Sequence, residues 1–312
     1  MNRRDFTKTL SLSVGALGLR GVPAIACKQL PQFAITMDDF NWQNAVKLTA
    51  TERNQAILDT FRSRSTKAAL FVIGRNIESA VGKQLLSPWN KAGHMIGNHT
   101  YSHRNFHAPE SNVKDYEDDI LRAEALLKDF PQFKKYFRFP MLKEGDTAAK
   151  RDAMRSFLDQ HGYRNGHVTI DNSDWAIDQR LTARLKKDPN ADVQPYRDFY
   201  LEHMWTRATY YDKLAKEVVD GQVKHTVLVH FNLLNGLFLG DLLDKFKSNN
   251  WTLIDAEEAF TDRMFASKPN VLPAGESLVW SLAKEKGKLP TSLRYPAEDG
   301  DSVNAEMDKL GL

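Results

Sequence analysis

The chain has 312 residues, 42% hydrophobic and 27% charged, a globular composition with enough apolar material for a sizeable core. Its formal net charge is only +3 and the charges are scattered, which argues against a nucleic-acid partner. A single cysteine, Cys27, excludes an intrachain disulfide.

The first 26 residues are laid out as a secretory signal peptide: a basic start at Arg3-Arg4, a weakly apolar stretch over 9–19, and the small-x-small cleavage signal Ala24-Ile25-Ala26. Arg3-Arg4-Asp5-Phe6-Thr7-Lys8 resembles the twin-arginine export signal, with Thr7 where leucine is commoner. The apolar stretch falls far short of the roughly 20 residues that span a bilayer, and no later segment reaches it, so no transmembrane span is expected. The expectation is an exported protein, periplasmic or extracellular. Ala24-Ile25-Ala26-Cys27 also reads as a lipoprotein signal with alanine for the usual leucine, which leaves a lipid anchor at Cys27 open.

Past the signal the chain alternates between two periodicities. An apolar run over 32–37 predicts a strand ending at Asp38-Asp39, and 51–64 has helical spacing. A β-branched strand over 68–73 closes at Gly74, a helix over 83–92 stops at Gly93, and a short strand covers 94–97. Helix 113–130, strand 136–139, helix 147–161 and strand 167–170 follow. The series ends with a largely helical 195–219, strand 226–231, helix 237–248 and strand 251–254. Strand then helix, repeated about seven times, predicts an α/β fold with a parallel sheet or barrel. One catalytic domain is expected over 27–265, with 266–312 a C-terminal extension packed on it.

In such a barrel the chemistry sits at the C-terminal ends of strands. Asp38-Asp39, His99, Arg138, Asp171 and His230 each follow an apolar run. In His99-Thr100-Tyr101-Ser102-His103 the i, i+4 spacing puts both imidazoles on one face if the segment is helical. Adjacent carboxylates are costly to bury without a cation, and on an extended chain they point to opposite sides. Asp39 with His99 and His103 then supplies one oxygen and two nitrogens, the catalytic zinc pattern with one position open. Asp38 is left to face a reacting water. His230, in Leu228-Val229-His230, suits a general acid if a carboxylate of Asp171-Asn172-Ser173-Asp174 holds its tautomer, and Arg138 suits an orienting cation for Asp38.

These segments together resemble the polysaccharide deacetylase family, also called the NodB homology domain or carbohydrate esterase family 4. Its motifs are matched in order by Thr36-Met37-Asp38-Asp39, His99-Thr100-Tyr101-Ser102-His103, Arg138-Phe139-Pro140, Asp171-Asn172-Ser173-Asp174-Trp175 and Leu228-Val229-His230. The resemblance implies a distorted (β/α) barrel, a divalent metal that is usually zinc, and an N-acetylated carbohydrate substrate. It implies Asp38 as base, His230 as acid, Arg138 orienting Asp38, and Asp174 rather than Asp171 pairing with His230. Trp175, Met141 and Tyr101 are expected in the substrate groove. The third motif departs from the family: after Pro140 an aromatic residue and glycine are usual, and here Met141-Leu142-Lys143-Glu144-Gly145 follows. The main-chain amide of Met141 is the one the family uses on the oxyanion.

Three other readings are weighed against an N-deacetylase. Two histidines and a carboxylate also make the facial triad of non-haem iron oxygenases. A non-catalytic sugar-binding relative would dispense with Asp38 or His230, and both are present. A deacylase of a different amide or an ester keeps every residue above.

Overall fold

The computed structural model describes residues 30–289 and 300–312, so the signal peptide, its cleavage site and Cys27 lie outside the described residues. The first apolar run forms β1 (Gln32–Asp38), buried along most of its length as a strand covered on both faces must be. α1 (Ala50–Ser63) starts at a capping box, in which the Glu52 N–H donates to Thr49 Oγ1 (3.2 Å) and the Thr49 N–H to Glu52 Oε2 (2.8 Å). Next come β2 (Ala69–Val72), α2 (Ala80–Ala92), β3 (Met95–Asn98), α3 (Val113–Leu127), β4 (Phe133–Phe137) and β5 (Lys143–Gly145). Beyond them lie α4 (Ala148–Gln160), β6 (Arg164–Asn165), α5 (Asp174–Lys187), α6 (Gln194–Val218), β7 (Lys224–His230) and α7 (Leu233–Ser248). β8 (Thr252–Leu253), α8 (Ala256–Ala259), β9 (Ala274–Gly275), α9 (Leu278–Glu285) and α10 (Gly300–Lys309) complete the described chain. Among the described residues no helix is long and apolar enough to cross a membrane.

A parallel sheet runs β6-β4-β3-β2-β1-β7, with β8 beside the start of β1. It curls into a half-barrel wrapped in helices, the distorted (β/α) barrel the motifs imply. The segment after β6 spans the remaining gap. At one end the Gly166 N–H donates to Phe137 O of β4 (2.7 Å); at the other the Ile170 N–H donates to Thr226 O of β7 (3.0 Å) and the Ile170 carbonyl accepts from the Leu228 N–H (3.1 Å). A single bridge, Ile170 to Val227, marks the seam. Inside the barrel Phe71 fills the space below the mouth. A Cβ on Gly97 would meet its ring at 2.7 Å and one on Gly166 at 2.4 Å, so two glycines let the backbone close around it.

Register decides what gathers at the mouth. Asp38 pairs with His230 across β1 and β7, Val72 with Asn98 across β2 and β3, and Asn98 with Phe137 across β3 and β4. His99 and Arg138 are the next residues after two of these partners, so neighbouring strand ends deliver Asp38, His99, Arg138 and His230 to one place.

Several boundaries differ from the sequence reading. The strand expected over 167–170 is reduced to the seam bridge, because its residues change partners from β4 to β7. The strand expected over 136–139 runs instead over β4 and is spent before Phe139, which starts the turn into Pro140. α7 begins at Leu233, four residues ahead of the expected 237, because the Asn232 side chain caps it by accepting from the Asn235 N–H (2.9 Å). α5 was not anticipated at all. Beyond residue 265, β9 pairs antiparallel with β5, and Leu278, Val279, Trp280, Val303 and Met307 join the same core cluster as Phe33 and Ile35.

Candidate active site

A cleft of about 440 Å³ opens at the strand ends, lined by Asp38, Asp39, His99, His103, Met141, Trp175 and His230 among others. On its floor, His99 Nε2 lies 3.4 Å from Asp39 Oδ1, and His103 Nε2 lies 3.2 Å from the same oxygen. One ligand atom from each of the three falls within 4.8 Å of the others. The expected helical spacing is not how this is done. Residues 99–103 form a turn, with φ of 60° at both Thr100 and His103. Asn98 Oδ1 accepts from the Thr100 N–H (2.9 Å), and Thr100 Oγ1 accepts from the His103 N–H (2.9 Å). Nor do Asp38 and Asp39 diverge by strand alternation: the chain leaves the strand at Asp39, whose φ is 64°. That left-handed step is uncommon outside glycine, asparagine and aspartate, and it swings the second carboxylate over the histidines.

The three residues fit a divalent cation. Oδ1 of Asp39 is buried yet receives no donor of good geometry, although two ring nitrogens face it. His99 Nδ1 lies 2.9 Å from the Arg138 carbonyl, which takes the Nδ1–H and leaves the Nε2 lone pair free toward Asp39. The electrostatics agree. Burial would raise the Asp39 carboxyl, but the His103 and His99 imidazoles, by contact and charge, hold it well below the usual carboxylate range. Burial would lower His99, but the Asp38 and Asp39 carboxylates push it up. A field that draws a proton onto His99 also draws a cation.

Asp38 is separate and rigid. Arg138 Nη1 donates to its Oδ1 (3.0 Å) and to Thr36 Oγ1 (3.0 Å), and Arg138 Nε donates to Gly166 O (2.6 Å). The guanidinium stacks on Phe71, 4.1 Å from the ring centroid. The other oxygen of Asp38 is 3.8 Å from His99 Nε2, beside the three-residue cluster.

Opposite stands His230, whose Nδ1 is 2.5 Å from Asp174 Oδ1. Asp174 is wholly buried at the start of α5, and its Oδ2 accepts from the His230 N–H (2.9 Å) and from Asn235 Nδ2 (2.7 Å). Asn235 is itself held by the Tyr200 hydroxyl (2.6 Å). Burial would lower His230, but Asp174, by charge and hydrogen bond, with Asp39 and Asp38 beyond it, lifts it to about 10. One turn along α5, Asp178 is pushed up to about 6 by burial, with the Asp174 charge adding to the rise. Asp171 sits in the cleft wall, where its Oδ1 accepts from the Asn172 N–H (2.8 Å), and it is Asp174 that holds His230 Nδ1.

Of the residues expected in the groove, Trp175 and Met141 line it, 39% and 51% exposed. Tyr101 does not. Its hydroxyl donates to Glu78 (2.7 Å) and its ring lies 3.4 Å beneath the Arg122 guanidinium, which turns it from the cleft onto the outer surface. Lys143 and Gln179, which sequence reasoning missed, line the cleft as well. The remaining histidines have structural partners: His94 accepts from the Ala68 N–H, His167 pairs with Glu144 (3.3 Å), and His225 meets Thr169 (3.1 Å).

Residues 27–165 match the family described as Polysaccharide deacetylase. A peptidoglycan-N-acetylglucosamine deacetylase of Bacillus cereus is 35% identical over 71 residues, which is 23% of this chain and 24% of that protein, so the match spans about a quarter of the relative's length. A chitin deacetylase of Colletotrichum lindemuthianum is 26% identical over 195 residues, 59% of this chain and 71% of that one. Among solved structures, a mutant carbohydrate esterase family 4 pseudoenzyme with restored enzymatic activity superposes with a TM-score of 0.51 at 17% identity, over 74% of this chain and 67% of that one. A peptidoglycan N-acetylglucosamine deacetylase in complex with a naphthalenyl N-oxidanyl-benzamide does so with a TM-score of 0.50 at 17% identity, over 74% and 88%. At that identity the superpositions speak for the fold alone, and it is the same curled parallel sheet that carries the motif residues here. Over residues 27–165 the chain is thus similar to the polysaccharide deacetylase family, on a fold that the family's solved structures share.

Proposed function

We propose that the protein is a metal-dependent hydrolase that removes acetyl groups from an N-acetylated sugar polymer or oligosaccharide, releasing acetate. The observation that carries this reading is the separation of roles in the cleft: a cluster of Asp39, His99 and His103, a second carboxylate held apart from it by Arg138, and an imidazole locked on Asp174. Asp39, His99 and His103 would hold the ion, with zinc favoured by the nitrogen-rich donor set. When bound, it would polarise the acetyl carbonyl and acidify a water.

The chain's own groups do the rest. Asp38, aimed by Arg138, accepts the proton of the attacking water. The amide of Met141, in a left-handed turn at the cleft wall (φ 55°), is offered to the developing oxyanion. His230, kept protonated by Asp174, delivers a proton to the departing amine. Acetate and a free amino sugar leave. Several carboxylates around one imidazolium favour hydrolysis over the oxygenase chemistry of a facial triad.

The test is acetate release from N-acetylated chitooligosaccharides. Dialysis against a chelator should reduce it to background, and added Zn²⁺ should restore it. Release that survives complete metal removal would overturn the metal dependence. An ester substrate hydrolysed while every N-acetylated oligosaccharide is ignored would shift the reading to a different deacylase.

We also propose export, on the pattern of the first 26 residues. Replacing Arg3 and Arg4 with lysine should leave the protein in the cytoplasm if the twin-arginine route carries it. Normal secretion of that double variant, followed by cell fractionation, would rule the route out.

A further inference from the structure

α5 serves the cleft twice. Its first residue, Asp174, holds His230, and its second, Trp175, presents an indole to the cleft. The outer side of this helix is covered by α10. Arg180 on α5 pairs with Asp308 and with the carbonyl of Leu312, while Val303 and Met307 of α10 are fully buried. α10 is therefore packed on the helix that carries the two cleft residues. Its first described residue lies against the indole itself: a Cβ on Gly300 would lie 2.7 Å from Cη2 of Trp175, 3.3 Å from Cζ3 and 3.6 Å from Cζ2.

The glycine at this position is not explained by its backbone. Gly300 lies in α10, and a helical backbone is one that L residues adopt freely. Within a helix glycine is a poorer choice than alanine. What glycine provides is room, and the group occupying that room is the benzo edge of a cleft-lining tryptophan.

We propose that α10 is a specificity element of the cleft, in which Gly300 is a positioning residue that seats the Trp175 indole as a fixed platform for the sugar ring beside the reacting acetamide. The inference rests on the deacetylase reading above. A platform held in place before substrate arrives loses less freedom on binding, so its contribution appears in affinity and not in the chemical step. The C-terminal extension then sets how tightly an oligosaccharide is held without contributing a catalytic group.

Gly300→Ala is the probe, because it adds only the methyl that displaces the indole. It should raise KM for N-acetylated chitotetraose about two- to tenfold, the scale of one aromatic contact, with kcat changed less than about twofold. In a Trp175→Phe background the same change should have no further effect, since phenylalanine lacks the ring atoms the methyl meets; the coupling isolates the contact. An unchanged KM, or an equal rise in both backgrounds, overturns the proposal. So does a parallel fall in kcat and melting temperature in both, which is the signature of a merely structural helix. Binding is also read apart from turnover, as the dissociation constant of chitotetraose. If the unmodified protein releases no acetate, the deacetylase reading falls. The role of α10 is then decided by whether Gly300→Ala weakens that constant only when Trp175 is present.

Discussion

Asp38→Asn should retain the metal and lose nearly all turnover, whereas Asp39→Asn should lose the metal first. Both predictions come from the geometry of two adjacent residues. Oδ1 of Asp39 is the point on which His99 and His103 converge, at 3.4 and 3.2 Å. A neutral amide there is a weaker ligand than a carboxylate, so metal content after dialysis should fall, and activity with it. Asp38 has its Oδ1 committed to Arg138 at 3.0 Å and stands beside the cluster, not within it. Asparagine can keep one contact with Arg138 through its carbonyl but cannot accept the proton of water. General-base catalysis typically contributes about 10²–10⁴-fold, and acetate release should drop by that order. Equal metal loss in both variants would make Asp38 a ligand and end the division of labour. Full metal and activity in both would reduce the pair to a solvated turn.

His230→Ala should cost a comparable factor, about 10²–10⁴ in kcat on an amide, with metal content near normal. An ester, whose leaving group needs less protonation, should suffer less. The pH dependence follows from the lift to about 10 that Asp174 gives His230 against the penalty of burial. An acid must be protonated to act, so the alkaline limb of kcat should lie well above the ordinary histidine range of about 6.5. A cation beside Asp39 would offset the Asp39 and Asp38 part of this lift and leave the Asp174 part. Asp174→Asn should therefore pull the alkaline limb back toward neutrality. The linkage has a matching sign. A raised histidine stabilises the fold fully below its unfolded value near 6.5 and loses that contribution as pH climbs toward about 10. Denaturant midpoints measured across that window should fall for the unmodified protein and change less for Asp174→Asn. An alkaline limb that ignores Asp174→Asn would remove His230 from the proton transfer.

The strand-end residues were readable because a charged group closing an apolar run has no packing reason to be there. Asp38, His99, Arg138 and His230 all carry that mark, and register alone brings them together. What the linear pattern does not carry is the path of the chain between them. The left-handed steps at Thr100 and His103 go with local hydrogen bonds that Asn98 Oδ1 and Thr100 Oγ1 accept, and the step at Asp39 comes where the chain leaves β1; neither helical nor extended periodicity describes them. α5 has an apolar line at Ile177, Leu181 and Leu185 that could have revealed it, but its polar start at Asp171 to Asp174 reads as loop. Tyr101 sits inside the histidine motif and was placed by that neighbourhood. Glu78 and Arg122, both distant in sequence, settle its direction instead. Lys143 and Gln179 reach the cleft through tertiary folding alone.

One side chain ties the seam of the barrel to the reacting centre. Arg138 takes the carbonyl of Gly166, where the unladdered segment leaves β4, and with its other arm holds Thr36 and Asp38. The width of the closure and the aim of the base are thereby one variable. A descendant of this protein that opened the seam to admit a bulkier polymer would detune its own base. It would keep its chemistry only by finding Asp38 another support as the Arg138 contact to Gly166 was given up. Innovation in substrate is consequently channelled to the parts that Arg138 does not touch, the loop after Pro140, where this chain departs from the pattern of the family it resembles, and the helix α10, which meets the cleft at Trp175.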